Sequence, residues 1–138
     1  MSGTLSHSEQ VSANLTMARH LHTMGADPQL GTSARQWQMT VFFYVAVHWV
    51  ESQFYQRGYP ESRDHQSRKQ RIRQLWPTNG GAINAYLQLE VRSRRARHEG
   101  WIPSAADRTI VARNPLKWPG RGSFGDLVEK CSWIGHSR

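Results

Sequence analysis

An all-α compact bundle of about five helices is the fold this sequence predicts, on three observations. No segment alternates apolar and polar residues as a half-buried strand does. Apolar residues instead recur three and four apart, over runs too long for single strands. Gly- and Pro-containing breaks separate those runs at 25–28, 58–60, 77–81 and 100–103. With 138 residues the chain has room for one domain, 1–138. Within it we expect a frayed polar start over 1–7, a core over 33–99, a Pro/Gly-punctuated region over 100–122 and a last helix over 123–135.

From Ser8 onward, Val11, Leu15, Ala18 and Met24 recur at near-helical spacing, and Gly25-Ala26-Asp27-Pro28 then interrupts the chain. Ser33-Ala34-Arg35-Gln36 fits a capping box and opens a second helix that runs to Gly58, with Pro60 preventing resumption. The block Val41-Phe42-Phe43-Tyr44-Val45-Ala46-Val47 has strand-like composition, but the uninterrupted segment around it is far too long for one strand. A helix there is on the order of 35 Å long at 1.5 Å per residue. Its middle is apolar on every side, as in a helix that neighbours surround. Ser62 is the expected cap of a third helix with His65, Arg68, Ile72 and Leu75 on one stripe, closed by Pro77. Asn79-Gly80-Gly81 turns the chain into a fourth, whose inward face is Ala82, Tyr86, Leu89, Ser93 and Ala96 and which ends near Gly100. A short helical piece follows Ser104. Ser123 begins the last helix, with Phe124, Leu127, Val128, Cys131 and Ile134 inward.

The formal charge is +8, from 18 Lys+Arg against 10 Asp+Glu. Such an excess points to nucleic acid or another polyanion as a partner, and says nothing about fold. The apolar run from Val41 to Val50 is half the length a membrane crossing needs, so no membrane role is expected. The first residues carry no apolar signal stretch, and the expected location is cytoplasmic. Cys131 is the only cysteine, which excludes a disulfide framework and a Cys-rich zinc site.

Three features carry chemistry. His48 lies near the middle of the long helix, on one face with Trp37, Val41 and Tyr44. A polar ring inside a bundle needs a hydrogen-bond partner, and His65, Arg68 and Glu51 are the candidates. The run Arg92-Ser93-Arg94-Arg95-Ala96-Arg97-His98 crowds four guanidinium groups into one and a half turns. The helix dipole offsets part of that repulsion, and an anion or carboxylates must offset the rest. Arg63, Arg68, Lys69, Arg71 and Arg73 on the third helix extend the charge into a strip bordered by Tyr59, Trp76 and Trp101. Guanidinium forks beside aromatic planes suit phosphate contacts and base stacking. An Arg and a His close together also suit metal-independent phosphodiester cleavage, one stabilising phosphoryl charge and the other moving a proton.

The order of these features resembles a known family. Tyr44-Val45-Ala46-Val47-His48, His65-Gln66-Ser67-Arg68 and Ser93-Arg94-Arg95-Ala96-Arg97 match the A-V-H, H-x-x-R and S-R-x-A-R motifs of a small bacterial branch of the HEPN superfamily. The likeness covers 37–98. It implies a compact HEPN-like helical bundle, a homodimer, and a metal-independent endoribonuclease of a toxin or antiphage-defence type with an antitoxin or defence-system partner. It equally implies the alternative of a non-catalytic binding module whose His/Arg cluster is scaffolding. The family signature of Arg followed by His after four to six residues falls on Arg92 and His98, the catalytic candidates. His48, His65, Arg68, Arg94 and Arg97 are the phosphate-binding or orienting candidates. Arg63, Lys69, Arg71, Arg73 and Arg95 are the nucleic-acid surface. No cofactor and no metal are expected.

Three weaker signals are set aside. Gly120-Arg121-Gly122-Ser123-Phe124-Gly125 spells a dinucleotide fingerprint, but prolines replace the strand that must precede it. His20 and His22 diverge by about 200° around a helix and do not chelate one ion. Asn14-Leu15-Thr16 is a glycosylation sequon, without meaning in a chain for which no secretion is expected.

Overall fold

The structure is a computed structural model that describes residues 5–77 and 80–114. Five helices make up the described part: α1 (His7–Met24), α2 (Gly31–Gln56), α3 (His65–Leu75), α4 (Gly80–His98) and α5 (Ala105–Arg113). The expected helix over 123–135 and the glycine motif within 120–125 lie outside the described residues. None of the described helices is long and apolar enough to cross a membrane.

α2 is the axis of the bundle. α1 and α4 pack along it, α5 touches it, and α3 leans on α4. Phe42, Phe43, Val45, Ala46, Val47, Trp49 and Val50 are all buried, whereas the remaining side of the helix, with Trp37 and Tyr44, is exposed, so α2 is not enclosed all round as its composition predicts. Val11, Leu15 and Ala18 supply the α1 side of the core. Ala82, Tyr86, Leu89, Ser93 and Ala96 are buried on α4, as their spacing predicts. Three of these are small, so the α4 backbone approaches α2 closely enough for Ser93 Oγ to donate to Thr40 Oγ1 at 3.5 Å.

The helix starts differ from the sequence expectation in three places. Ser6 caps α1 in a full capping box with Glu9, so the chain is already ordered at His7. α2 starts at Gly31 rather than after Ser33. The Asp27 carboxylate accepts from the amides of Gln29 and Leu30 at 2.8 Å each, and this turn launches the helix early. Gln36 is thereby released from a capping role and donates to the Trp101 carbonyl. α3 is capped by Asp64, which accepts from the Ser67 amide at 2.8 Å. Ser62 instead offers its backbone amide to a buried carboxylate, described below.

The stops are as expected. Gly58 and Gly100 take φ values of +81° and +67°, the left-handed region that side chains avoid. Gly25 leaves room for a neighbour: a Cβ there would lie 2.5 Å from the Arg108 guanidinium, which would have to move aside. That guanidinium donates to the His22 carbonyl at 2.6 Å and to Gln38 Oε1 at 3.3 Å, pinning α5 across the α1–α2 corner.

Leu89 is fully buried where α4 meets the core. Leu89→Ala will cost about 2–5 kcal/mol of stability through reduced transfer energy and a cavity. Val91→Ala, on the exposed side of the same helix, will stay within about 0.5 kcal/mol. Urea unfolding of both variants measures the contrast.

Candidate functional site

The candidate site is built outward from one carboxylate. Glu51 sits on α2 at 2% exposure, where an uncompensated charge would be costly. Its Oε1 accepts from Arg68 Nε at 3.0 Å, and its Oε2 accepts from the Ser62 amide at 3.2 Å. α3 is thus held against α2 by an ion pair, and the loop before α3 by a backbone hydrogen bond. The Arg68 Nη1 donates in turn to His65 Nδ1 at 2.8 Å and to the Tyr86 hydroxyl at 3.2 Å. Glu51, Arg68, His65 and Tyr86 therefore form one network across α2, α3 and α4.

The network sets protonation states. Burial works against the Arg68 charge, but the hydrogen bonds to Tyr86 and Glu51 outweigh it and hold the guanidinium above its usual range. Burial pushes the Tyr86 phenol up, with the Arg68 hydrogen bond opposing. His65 is lowered by burial and then by the Arg68 charge. Because Nδ1 accepts from Arg68, the neutral ring carries its proton on Nε2. An exposed ring in that tautomer presents an N–H donor to an anion. It does not present a base.

His48 departs from the expectation. Trp37 and Tyr44 on its face are exposed, so that face is an outer edge of the bundle and His48 is half-buried. Its partner is none of the three candidates, which pair among themselves. It is His7, with the two Nδ1 atoms 2.8 Å apart. His7 Nε2 then lies 3.1 Å from the Glu61 carboxylate. Burial lowers the His48 pKa, and the neighbouring His7 and Arg68 charges add to the effect.

The arginine-rich end of α4 divides between two sides. Arg92 and Arg95 line a cleft of about 430 Å³ with Gln88, Trp101 and Asp107. Arg97 lines a second cleft with Gln36, Trp37 and Thr40, and its charge contributes to lowering His65. Arg94 is exposed and lies 3.6 Å from Glu90, which also pairs with Lys69 at 3.2 Å. His98 stands exposed on the last turn. Six positions along a helix rotate a side chain by about 240°, and no hydrogen bond among the described residues joins Arg92 to His98.

The aromatic borders of the strip are occupied. Arg57 stacks on Trp76 at 5.3 Å, Arg71 on Tyr59 at 4.9 Å and Arg95 on Trp101 at 4.5 Å. Arg71 also donates to the Pro60 carbonyl at 2.7 Å, so it braces the loop before α3. Arg63 and Arg73 are exposed.

Of the residues singled out from sequence, His65 and Arg68 are brought into direct contact, and the charges of Arg68 and Arg97 act on His65. His7, Glu61 and the hydroxyl of Tyr86 join the cluster without having been singled out for chemistry. The Ser6–Glu9 capping box was the signal that would have ordered His7. Nothing local marks Glu61. No protein-family model matches the chain, and no curated protein or solved structure is significantly similar to it.

Two outcomes follow from this network. Arg68→Ala leaves Glu51 buried without its cation and will cost about 3–5 kcal/mol, whereas Tyr86→Phe will cost about 1 kcal/mol; denaturant melts compare them. Both His48 and His65 have folded-state pKa values below their ordinary 6.5. The unfolded chain therefore binds protons first, so their contribution is complete above about pH 6.5 and disappears as pH falls toward the folded values. Melting temperature will decline from pH 7 to pH 5, and a His48→Gln, His65→Gln variant will show a flatter decline.

Proposed function

We propose that this protein is an RNA-binding helical module of the HEPN-like kind, and that the α3–α4 face makes the RNA contact. One observation carries this reading. Over 62–98 the chain places nine cations, Arg63, Arg68, Lys69, Arg71, Arg73, Arg92, Arg94, Arg95 and Arg97, against two acids, Asp64 and Glu90, and α3 and α4 lie against each other. Asp64 is used as a helix cap, and Glu90 is shared between Lys69 and Arg94. The exposed guanidiniums at Arg63, Arg73 and Arg97, with Arg94 sharing Glu90, are open to a phosphate backbone. The His65 Nε2–H is a further phosphate donor at the same face. Arg68 and Tyr86 hold that ring in place.

Metal-independent endoribonuclease activity through Arg92 and His98 is a second reading. It is favoured by the exposure of His98, which has no hydrogen-bond partner among the described residues. Arg92 and His98 diverge on one helix, so this reading requires two copies of the chain to meet around one phosphate, His98 moving the proton and Arg92 holding the phosphoryl charge.

Binding of a single-stranded RNA oligomer will weaken linearly in a log–log plot against salt. An Arg94→Ala, Arg97→Ala variant will reduce that slope by roughly 0.7 for each phosphate no longer neutralised. Binding that salt does not weaken, or a slope that these substitutions leave unchanged, refutes the RNA face. Incubation of RNA with protein and chelator decides the second reading: 2′,3′-cyclic phosphate ends that disappear in His98→Ala support it, and intact RNA removes it.

A further inference from the structure

Beside the Glu51 carboxylate three elements meet. The first turn of α1 brings His7, α2 brings Glu51, and the loop before α3 brings Glu61. One donor atom from each lies within 4.8 Å of the other two. They share a cleft of about 410 Å³ with Tyr55, Tyr59 and Pro60. One imidazole and two carboxylates, with room beside them for a further ligand, is a donor set for a divalent transition metal rather than for magnesium or calcium, which prefer oxygen alone.

A second observation separates this group from a chance cluster of charges. Each of the two inner ligands is already oriented from behind. The Nδ1 of His7 is hydrogen-bonded to His48 Nδ1 at 2.8 Å, which leaves Nε2, 3.1 Å from Glu61, as the coordinating nitrogen. Glu51 is held by Arg68 Nε and by the Ser62 amide. Outer partners of this kind fix ring orientation and carboxylate geometry at metal centres. Glu61 is exposed and free to swing inward, so the donor atoms can close to the spacing that metal bonds of about 2.0–2.2 Å require. Glu51 already has Arg68 as its fixed cation. The only basic partner of Glu61 among the described residues is the His7 imidazole.

We propose that His7, Glu51 and Glu61 bind a divalent transition-metal ion, zinc being the probe of choice, and that His48 positions His7 for it. The ion ties the start of α1 to α2 and to the loop leading into α3. The three ligands are not among the cations of the α3–α4 face, so the zinc site can fail without the RNA reading failing, and the reverse.

The test uses the tag-free full chain, stripped with chelator, dialysed and titrated calorimetrically with zinc chloride at neutral pH. One equivalent of zinc will bind, and zinc at about a hundred times its Kd will raise the melting temperature on the order of 10 °C. His7→Ala and Glu61→Gln lie at a helix start and in an exposed loop, and unchanged far-UV circular dichroism will confirm that each variant folds. Each will weaken zinc binding at least about tenfold and, at the same zinc concentration, cut the thermal shift to about half or less. His20→Ala, on the exposed side of α1, will bind as the parent does. A parent that takes up no zinc overturns the site, as does parent-like affinity in both folded variants.

Discussion

A carboxylate inside an apolar helix bundle constrains everything near it. α2 packs against α1, α4 and α5, and most of its circumference is buried Phe, Val and Trp side chains. Glu51 sits in that helix at 2% exposure, so a cation has to be brought to it. Arg68 answers this need, and the demand fixes more than one bond. It sets the rotation of α3, so that Ile72, one turn further along, enters the core. It draws the Ser62 amide down onto the second oxygen and so shapes the loop over 57–64. It leaves Arg68 with donors to spare, and those hold His65 and Tyr86.

Charge on this protein is therefore of two kinds. Some cations are committed to the fold. Arg68 and Arg108 bond buried or backbone acceptors, and Arg57, Arg71 and Arg95 lie over aromatic rings. Guanidinium suits such places because it is weakly hydrated and planar. The others, at Arg63, Arg73, Arg94 and Arg97, keep much of their surface in solvent. Cations of this second kind are the ones open to a polyanion, and a net charge does not distinguish the two. The stacked arginines also take the ring faces that the sequence suggested for bases.

The bundle was legible because helices advertise themselves locally. The four-three-four spacing of Ala82, Tyr86, Leu89, Ser93 and Ala96 is a statement about one face, and the structure buries all five. Gly58 and Gly100 mark stops because only glycine tolerates their φ values cheaply. The starts were less legible. Ser33 and Ser62 have the right chemistry for caps, but α2 starts at Gly31 without a side-chain cap, straight after a turn closed by Asp27, and Asp64 is the residue that reaches the Ser67 amide of α3.

The site followed the same division. That His65 and Arg68 share a face one turn apart is a property of helical pitch, and it could be read directly. Their meeting with Glu51 and Tyr86, and the exclusion of His48 from that group, could not. His48 turns to His7, 41 positions away, because both project from the edge where α1 starts beside α2. By itself the sequence determined the five described helices, the inward face of α4 and the excess of positive charge, all of which depend on neighbours within a turn or two. The tertiary structure decided which ionisable groups are spent on the interior and which face solvent. That outcome depends on helices crossing in space, where burial and distance set the energy of a charge and separation along the chain does not.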